Sequence, residues 1–158
     1  MIKRYFNRGI SLVEVVLATA IFLALVLGIL GTYSYFIRTA FSNTATLQAN
    51  LLLEEGAETL RFLRDASWTD NITPLTVGNT YSFSKTGLNW SIVSSPEYIG
   101  GFLRTFSVFP VYRDENDDIA ETGSIDSNIV KLVISVAWSE RSATTTREMT
   151  MYLSNIFE

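Results

Sequence analysis

The chain has 158 residues, with 12 basic and 16 acidic side chains, no histidine and no cysteine, for a formal net charge of −4. That length accommodates one domain and at most one appendage. Without histidine or cysteine there is no imidazole acid–base chemistry, no disulfide framework and no thiolate metal site, and most zinc and haem sites are excluded. Carboxylates, lysine, serine and tyrosine remain as possible catalytic groups, but no nucleophile elbow, paired catalytic carboxylates or glycine-rich phosphate loop is found among them. The expectation is therefore no catalytic residue, no cofactor and no metal.

The first nine residues, Met1 to Gly9, carry three cations (Lys3, Arg4 and Arg8) and no anion. Ile10 to Ile37 follows as a run of 28 residues with one charge, Glu14, and no proline. A bilayer core needs about 20 apolar helical residues. The run exceeds that, and it is also too long for the apolar region of a cleaved secretory signal. The cations before it keep the N-terminal end cytoplasmic, so the chain from Arg38 onward lies outside. Subtracting the three leader cations leaves 9 basic against 16 acidic residues, a balance of −7. An acidic exterior domain offers no general attraction to phosphate backbones, so no nucleic-acid partner is expected.

Glu14 is the conspicuous residue of the run. A carboxylate within a bilayer costs about 2.5–3.5 kcal/mol on insertion scales, so an intramembrane acid calls for a partner. No Lys, Arg or His lies in the run to supply one. Position alone leaves two readings open: an acid near the helix start that snorkels to the headgroups and is helped by the helix dipole, or a functional group paired across subunits.

The stretch Arg8-Gly9-Ile10-Ser11-Leu12-Val13-Glu14 resembles the processing site of the type IV pilin family, which includes type II secretion and competence pseudopilins. The shared pattern is a short basic leader ending in Gly, a hydrophobic residue, a Ser or Thr, then Leu, a hydrophobic residue and Glu. Ile10 stands where Phe is commonest. The resemblance implies cleavage after Gly9 by a prepilin peptidase, with methylation of the new Ile10 amine. It also implies assembly from the cytoplasmic membrane, through a pilus assembly platform, into an extracellular filament of pilin subunits. The Ile10 amine would then be the partner that Glu14 lacks. Each charge is costly alone in low dielectric, and pairing recovers much of that cost. The pair would thus fix register more than it adds stability.

Helical patterning continues beyond Ile37. From Arg38 to Asp65 there is no proline, and Ala45, Ala49, Leu52, Leu53, Gly56, Leu60 and Leu63 recur at spacings of three and four. Glu54, Glu55, Glu58, Arg61 and Arg64 fall mostly off that stripe. One helix from Ile10 to about Asp65 would be on the order of 80 Å long. Residues 10–37 are read as the membrane or filament-core part, and residues 38–66 as its amphipathic continuation. Gly28 and Gly31 weaken the helix locally or permit close packing in the membrane.

Residues 67–158 read as an exterior β-rich head. Short strands are predicted over Tyr81–Ser84 and Leu88–Val93, and a longer one over Phe102–Arg113 with Phe102, Phe106 and Val108 on one face. Ile129–Trp138 is the strongest strand, with Val130, Leu132, Ile134, Val136 and Trp138 inward. Arg147–Ser154 places Met149, Met151 and Leu153 on one side. Ser139 to Thr144 is read as the hairpin loop between the last two strands, and the whole stretch between Tyr112 and Ile129 as a solvated loop. The fold expected is α+β: a long N-terminal helix laid on a small antiparallel sheet. This layout is also similar to the minor pilin and pseudopilin branch, although no cysteine closes the C-terminal region.

The acidic run Asp114-Glu115-Asn116-Asp117-Asp118 has the oxygen ligands that Ca²⁺ selects. Ile119 and Ile125, however, occupy the positions where an EF-hand needs glycine and glutamate, and a solvated loop is the favoured reading. Phe83, Trp90, Phe102, Phe106 and Trp138 are read as core. Thr144-Thr145-Thr146 is either a glycan acceptor or a plain turn. The function expected is a structural filament subunit, and the alternative is an uncleaved, signal-anchored domain that binds a ligand outside the cell.

Overall fold

The computed structural model describes residues 11–140 and 143–156. The leader and its junction at Gly9 and Ile10 lie outside the described residues. Helix α1 runs from Leu12 to Ala66 without interruption. Leu and Ala, both strong helix formers, are its commonest residues, and no proline intervenes. It stops where the chain folds back on its last turn. Asn71 Nδ2 donates to the Leu63 carbonyl at 2.8 Å, and the Ser67 N–H donates to the same oxygen at 3.2 Å. Ser67 then caps the short helix α2 (Trp68–Asn71), its Oγ accepting the Asp70 N–H at 3.1 Å.

The chain divides into two units, one ending at Thr44 and the other starting at Ala45. In the first, the described residues of the helix are exposed at every position except Val26 and Ser42, which are half-buried. No residue of its most apolar stretch is buried, and its length and composition suffice to cross a membrane.

In the second unit the helix lies on a seven-stranded antiparallel sheet, so the architecture is α+β. The strands are β1 (Thr80–Thr86), β2 (Asn89–Val93), β3 (Glu97–Ile99), β4 (Phe102–Arg113), β5 (Ile119–Ala120), β6 (Ser124–Glu140) and β7 (Ala143–Ser154). Their order is β2-β1-β4-β6-β7, with β3 and β5 also pairing with β4. Period-two alternation sets which face is buried. On β4 the inward residues are Phe102, Arg104, Phe106 and Val108; on β6 they are Leu132, Ile134, Val136 and Trp138. From the helix come Ala49, Leu53, Gly56, Ala57, Leu60 and Leu63. Phe106 stacks on Phe83 with ring centres 5.0 Å apart, and Phe102 meets Trp138 at 5.7 Å. Helix and sheet approach closely at Gly56, where a Cβ would lie 3.3 Å from Ile134 Cγ2.

Three sequence expectations are corrected. The hairpin between the last strands is tighter than a loop over Ser139–Thr144, because Ser139 pairs with Thr144 and Glu140 with Ala143. The stretch from Tyr112 to Ile129 is partly sheet. Arg113 pairs with Ile119 in β5 and with Ser124 in β6, and Gly123, at φ 146°, lies so close that any Cβ would strike the Arg113 carbonyl. Finally, Glu97–Ile99 forms a strand that the sequence reading passed over, held by β4 in the register Glu97↔Arg104.

Leu60 has no exposed surface and sits in the helix–sheet core. Leu60→Ala is expected to lower unfolding free energy by about 2–5 kcal/mol, measured by denaturant titration of the detergent-solubilised chain. A loss under half of the lower figure would show that this half of the helix is not anchored through its apolar stripe.

Candidate functional site

Two features stand out: the exposed apolar helix with its one acid, and a buried cation in the head. Glu14 lies in the first turn of α1 and is exposed. The Ser11 carbonyl receives the Val15 N–H at 3.2 Å and opens the helix there. An acid at this end sits favourably in the field of the helix dipole. No cation of the described residues reaches Glu14; the proposed partner atom belongs to Ile10, outside them. Around it Leu12, Val13, Leu17, Phe22, Leu27 and Leu30 are each more than half exposed, a display that water does not tolerate over such a length.

Arg104 is a buried cation that the sequence reading missed. Its side chain has no exposure, yet it makes four hydrogen bonds. Nε donates to Glu97 Oε2 at 2.8 Å and Nη2 to Glu97 Oε1 at 3.1 Å, a two-pronged match of guanidinium and carboxylate. Nη1 donates to Glu55 Oε2 at 2.9 Å and to the Leu52 carbonyl at 3.2 Å. The guanidinium carbon lies 4.9 Å from the centre of Phe83 and 5.8 Å from that of Trp90. One residue of β4 thus holds a strand neighbour, a helix side chain and a helix carbonyl together. The signal was present in the alternation: Arg104 falls between Phe102 and Phe106 on the inward face. An open groove beside it, between Gln48, Leu51 and Leu52 of the helix and Ile99 and Phe102 of the sheet, contains one ionisable group, Glu55, already committed to Arg104.

The acidic run Asp114–Asp118 forms a tight turn. Asp114 Oδ1 accepts the N–H groups of Asn116 and Asp118 at 2.9 and 3.0 Å, and Asp117 takes φ 67°. Asp114 therefore spends an oxygen on backbone amides. Among the described residues no group of three or more Asp or Glu is placed to hold a metal ion. Next to this turn Arg113 Nε donates to Asp126 Oδ2 at 2.8 Å. That bond, with the Asn128 N–H, holds the Asp126 carboxyl below the usual aspartate range, and the same bond raises Arg113. Thr144 to Thr146 belongs to β7 and is paired along β6, so it is not a turn.

No known family model, curated protein sequence or solved structure matches the chain.

Arg104→Ala leaves Glu55 and Glu97 facing each other without a cation. The expected cost is about 3–5 kcal/mol, read by thermal or urea denaturation. Combining Arg104→Met with Glu55→Gln and Glu97→Gln should recover much of that loss, which would separate charge imbalance from lost packing. Asp126 gives a pH prediction. Its folded-state value lies below the ordinary aspartate value of about 3.9, so its contribution is present above that value and disappears as pH falls through the lower, folded value. Asp126→Asn should therefore flatten the acid limb of the stability–pH curve below about pH 4. An unchanged limb would remove the Arg113–Asp126 bond from the account.

Proposed function

We propose that the chain is a membrane-inserted subunit of a type IV pilin-like filament. The reading rests on its similarity to the prepilin processing site at Arg8–Glu14, and one structural observation supports it above the others. A continuous helix starts at Leu12, is apolar to Ile37 and almost wholly exposed to Thr44, and carries a single acid in its first turn. A rod of that kind needs lipid before assembly and other apolar helices after it. Between those two surroundings, Glu14 selects. In the bilayer it pairs with the Ile10 amine freed by cleavage after Gly9, or sits near the headgroups. In the filament the amine of a neighbouring subunit serves. A subunit entering out of register leaves both charges unpaired in low dielectric, which costs several kcal/mol.

The head, from Ala45 on, presents a separate surface to the outside, and its edge strands β2 and β7 are the two ends of the main sheet path. Its partners in this reading are further pilin subunits, the prepilin peptidase, the assembly platform and the membrane.

Intact mass from the native membrane or filament fraction tests processing. The expected value is that of Ile10–Glu158, with or without one methyl; a mass that retains Met1–Gly9 in cells with active prepilin peptidase would favour an anchored binding domain instead. Glu14→Ala should leave the protein inserted and folded but largely absent from sheared filaments. Incorporation at the native level would sink the register role of Glu14.

A further inference from the structure

Helix α1 carries eight charged side chains, and their pairing is uneven. Glu55 is bound to Arg104, Arg61 to Glu58, and Arg64 to Asp65. Three are left with no salt-bridge partner among the described residues: Glu14, Arg38 and Glu54. The filament reading already engages Glu14. Arg38 and Glu54 remain, one of each sign, both exposed.

We propose that Arg38 of one subunit pairs with Glu54 of a neighbouring copy, as a second register contact in the assembled filament. This rests on the filament reading. Arg38 is the first charge after the apolar run, so before assembly it lies at the outer headgroup level, where lipid phosphates serve as its counterions. On leaving the bilayer it loses those phosphates and needs another anion. The neighbouring copies are parallel, because every chain is inserted with the same polarity. Glu54 lies sixteen residues further along α1, so a neighbour shifted by that amount of helix brings the two charges together.

The surroundings of each charge fit such a contact. Tyr35 and Phe41, three residues to either side of Arg38, are 67% and 75% exposed. Leu47 and Leu51, two turns and one turn before Glu54, are 60% and 56% exposed. Residues three and four apart share a helix face. Each charge is therefore flanked by uncovered apolar groups that would exclude water from the pair and lower its screening. The adjacent acids are poor alternatives, because Glu55 and Glu58 already hold arginines. The contact joins two different patches of the same molecule, and such heterologous contacts propagate into open polymers when the rotation between copies does not close.

The absence of native cysteine provides a clean test. A disulfide requires Cα atoms within about 7 Å, closer than an extended Arg–Glu pair, so a short bis-maleimide is the probe. Arg38→Cys chains and epitope-tagged Glu54→Cys chains are produced together and cross-linked in sheared filaments. Leu88→Cys, at an exposed hairpin tip, replaces Glu54→Cys as the control. A mixed cross-linked dimer is expected for the 38–54 combination and not for 38–88. In parallel, Arg38→Glu and Glu54→Arg should each remove most of the filament, and the double exchange should restore it.

Filaments of normally processed subunits that show no 38–54 adduct, with a double exchange no better than the single variants, would overturn the pairing and leave the filament reading standing. Loss of membrane insertion in Arg38→Glu that Glu54→Arg does not repair would assign Arg38 to lipid phosphates alone and also overturn it. Native chain that retains Met1–Gly9 and forms no filament would overturn both.

Discussion

The position of the helix on the head depends on one buried guanidinium. An apolar stripe packed on a sheet tolerates sliding, because hydrophobic contact is not directional. Arg104 removes that freedom. Taking its charge out of water costs several kcal/mol, and that cost is offset only when Glu97 grips it on two nitrogens while Glu55 and the Leu52 carbonyl take the third. Moving the helix by one residue would turn Glu55 away by about 100° and leave the guanidinium short of two acceptors. The close approach at Gly56, one residue after Glu55, works in the same direction, since a side chain there would press on Ile134. Hydrophobic burial supplies most of the attraction, and the ion cluster selects the register.

The two carboxylates of that cluster have different surroundings. Glu97 is 17% exposed and cross-strand from Arg104, whereas Glu55 is 47% exposed. The bidentate Glu97 contact is therefore the stronger anchor, and Glu55 is the more screened one. Phe83 and Trp90 complete the enclosure by offering ring faces to the cation. A lysine could match neither the two-pronged carboxylate nor the stacking, which explains why this position calls for arginine in particular.

Most of the fold was legible because its periods are clean. Of the stripe Ala45, Ala49, Leu52, Leu53, Gly56, Leu60 and Leu63, which repeats at helical spacing, Ala45 and Leu52 are half-buried at its margin and the other members are buried. Phe102 to Val108 alternates cleanly, and the expected strand Phe102–Arg113 has the same bounds as β4, although the alternation breaks where the register to β6 shifts between Pro110 and Tyr112. What was missed lacks such a signal. Glu97–Ile99 is three residues long and becomes a strand only because β4 is there to pair with it. The polar stretch Ser139–Thr144 reads as loop by composition, yet its outer residues continue the β6–β7 ladder, where backbone pairing outweighs side-chain preference. Arg104 was passed over because a charge among inward aromatics looks like an interruption of the pattern, and only the contacts from Glu55 and Glu97 make it part of the core. Glu14 was found by the opposite logic, as a lone charge in an apolar run.

Glu54 and Glu55 show how finely a helix sorts charges. They are adjacent in sequence and identical in chemistry, and a rotation of about 100° separates them. That rotation sends Glu55 to the buried arginine and leaves Glu54 in solvent without a partner among the described residues. The same sorting acts along the whole of α1. Glu55 ties the helix to the sheet through Arg104, whereas Glu58–Arg61 and Arg64–Asp65 pair locally along the helix itself. Glu14, Arg38 and Glu54 have no salt-bridge partner among the described residues, and each is exposed. In a monomer such charges contribute little, since exposed groups are screened by water and salt. They acquire value only where another chain excludes that water. In the proposed filament, one step of helix rotation thus separates the acid that fixes the helix on the sheet, Glu55, from the acid left for a neighbouring chain, Glu54.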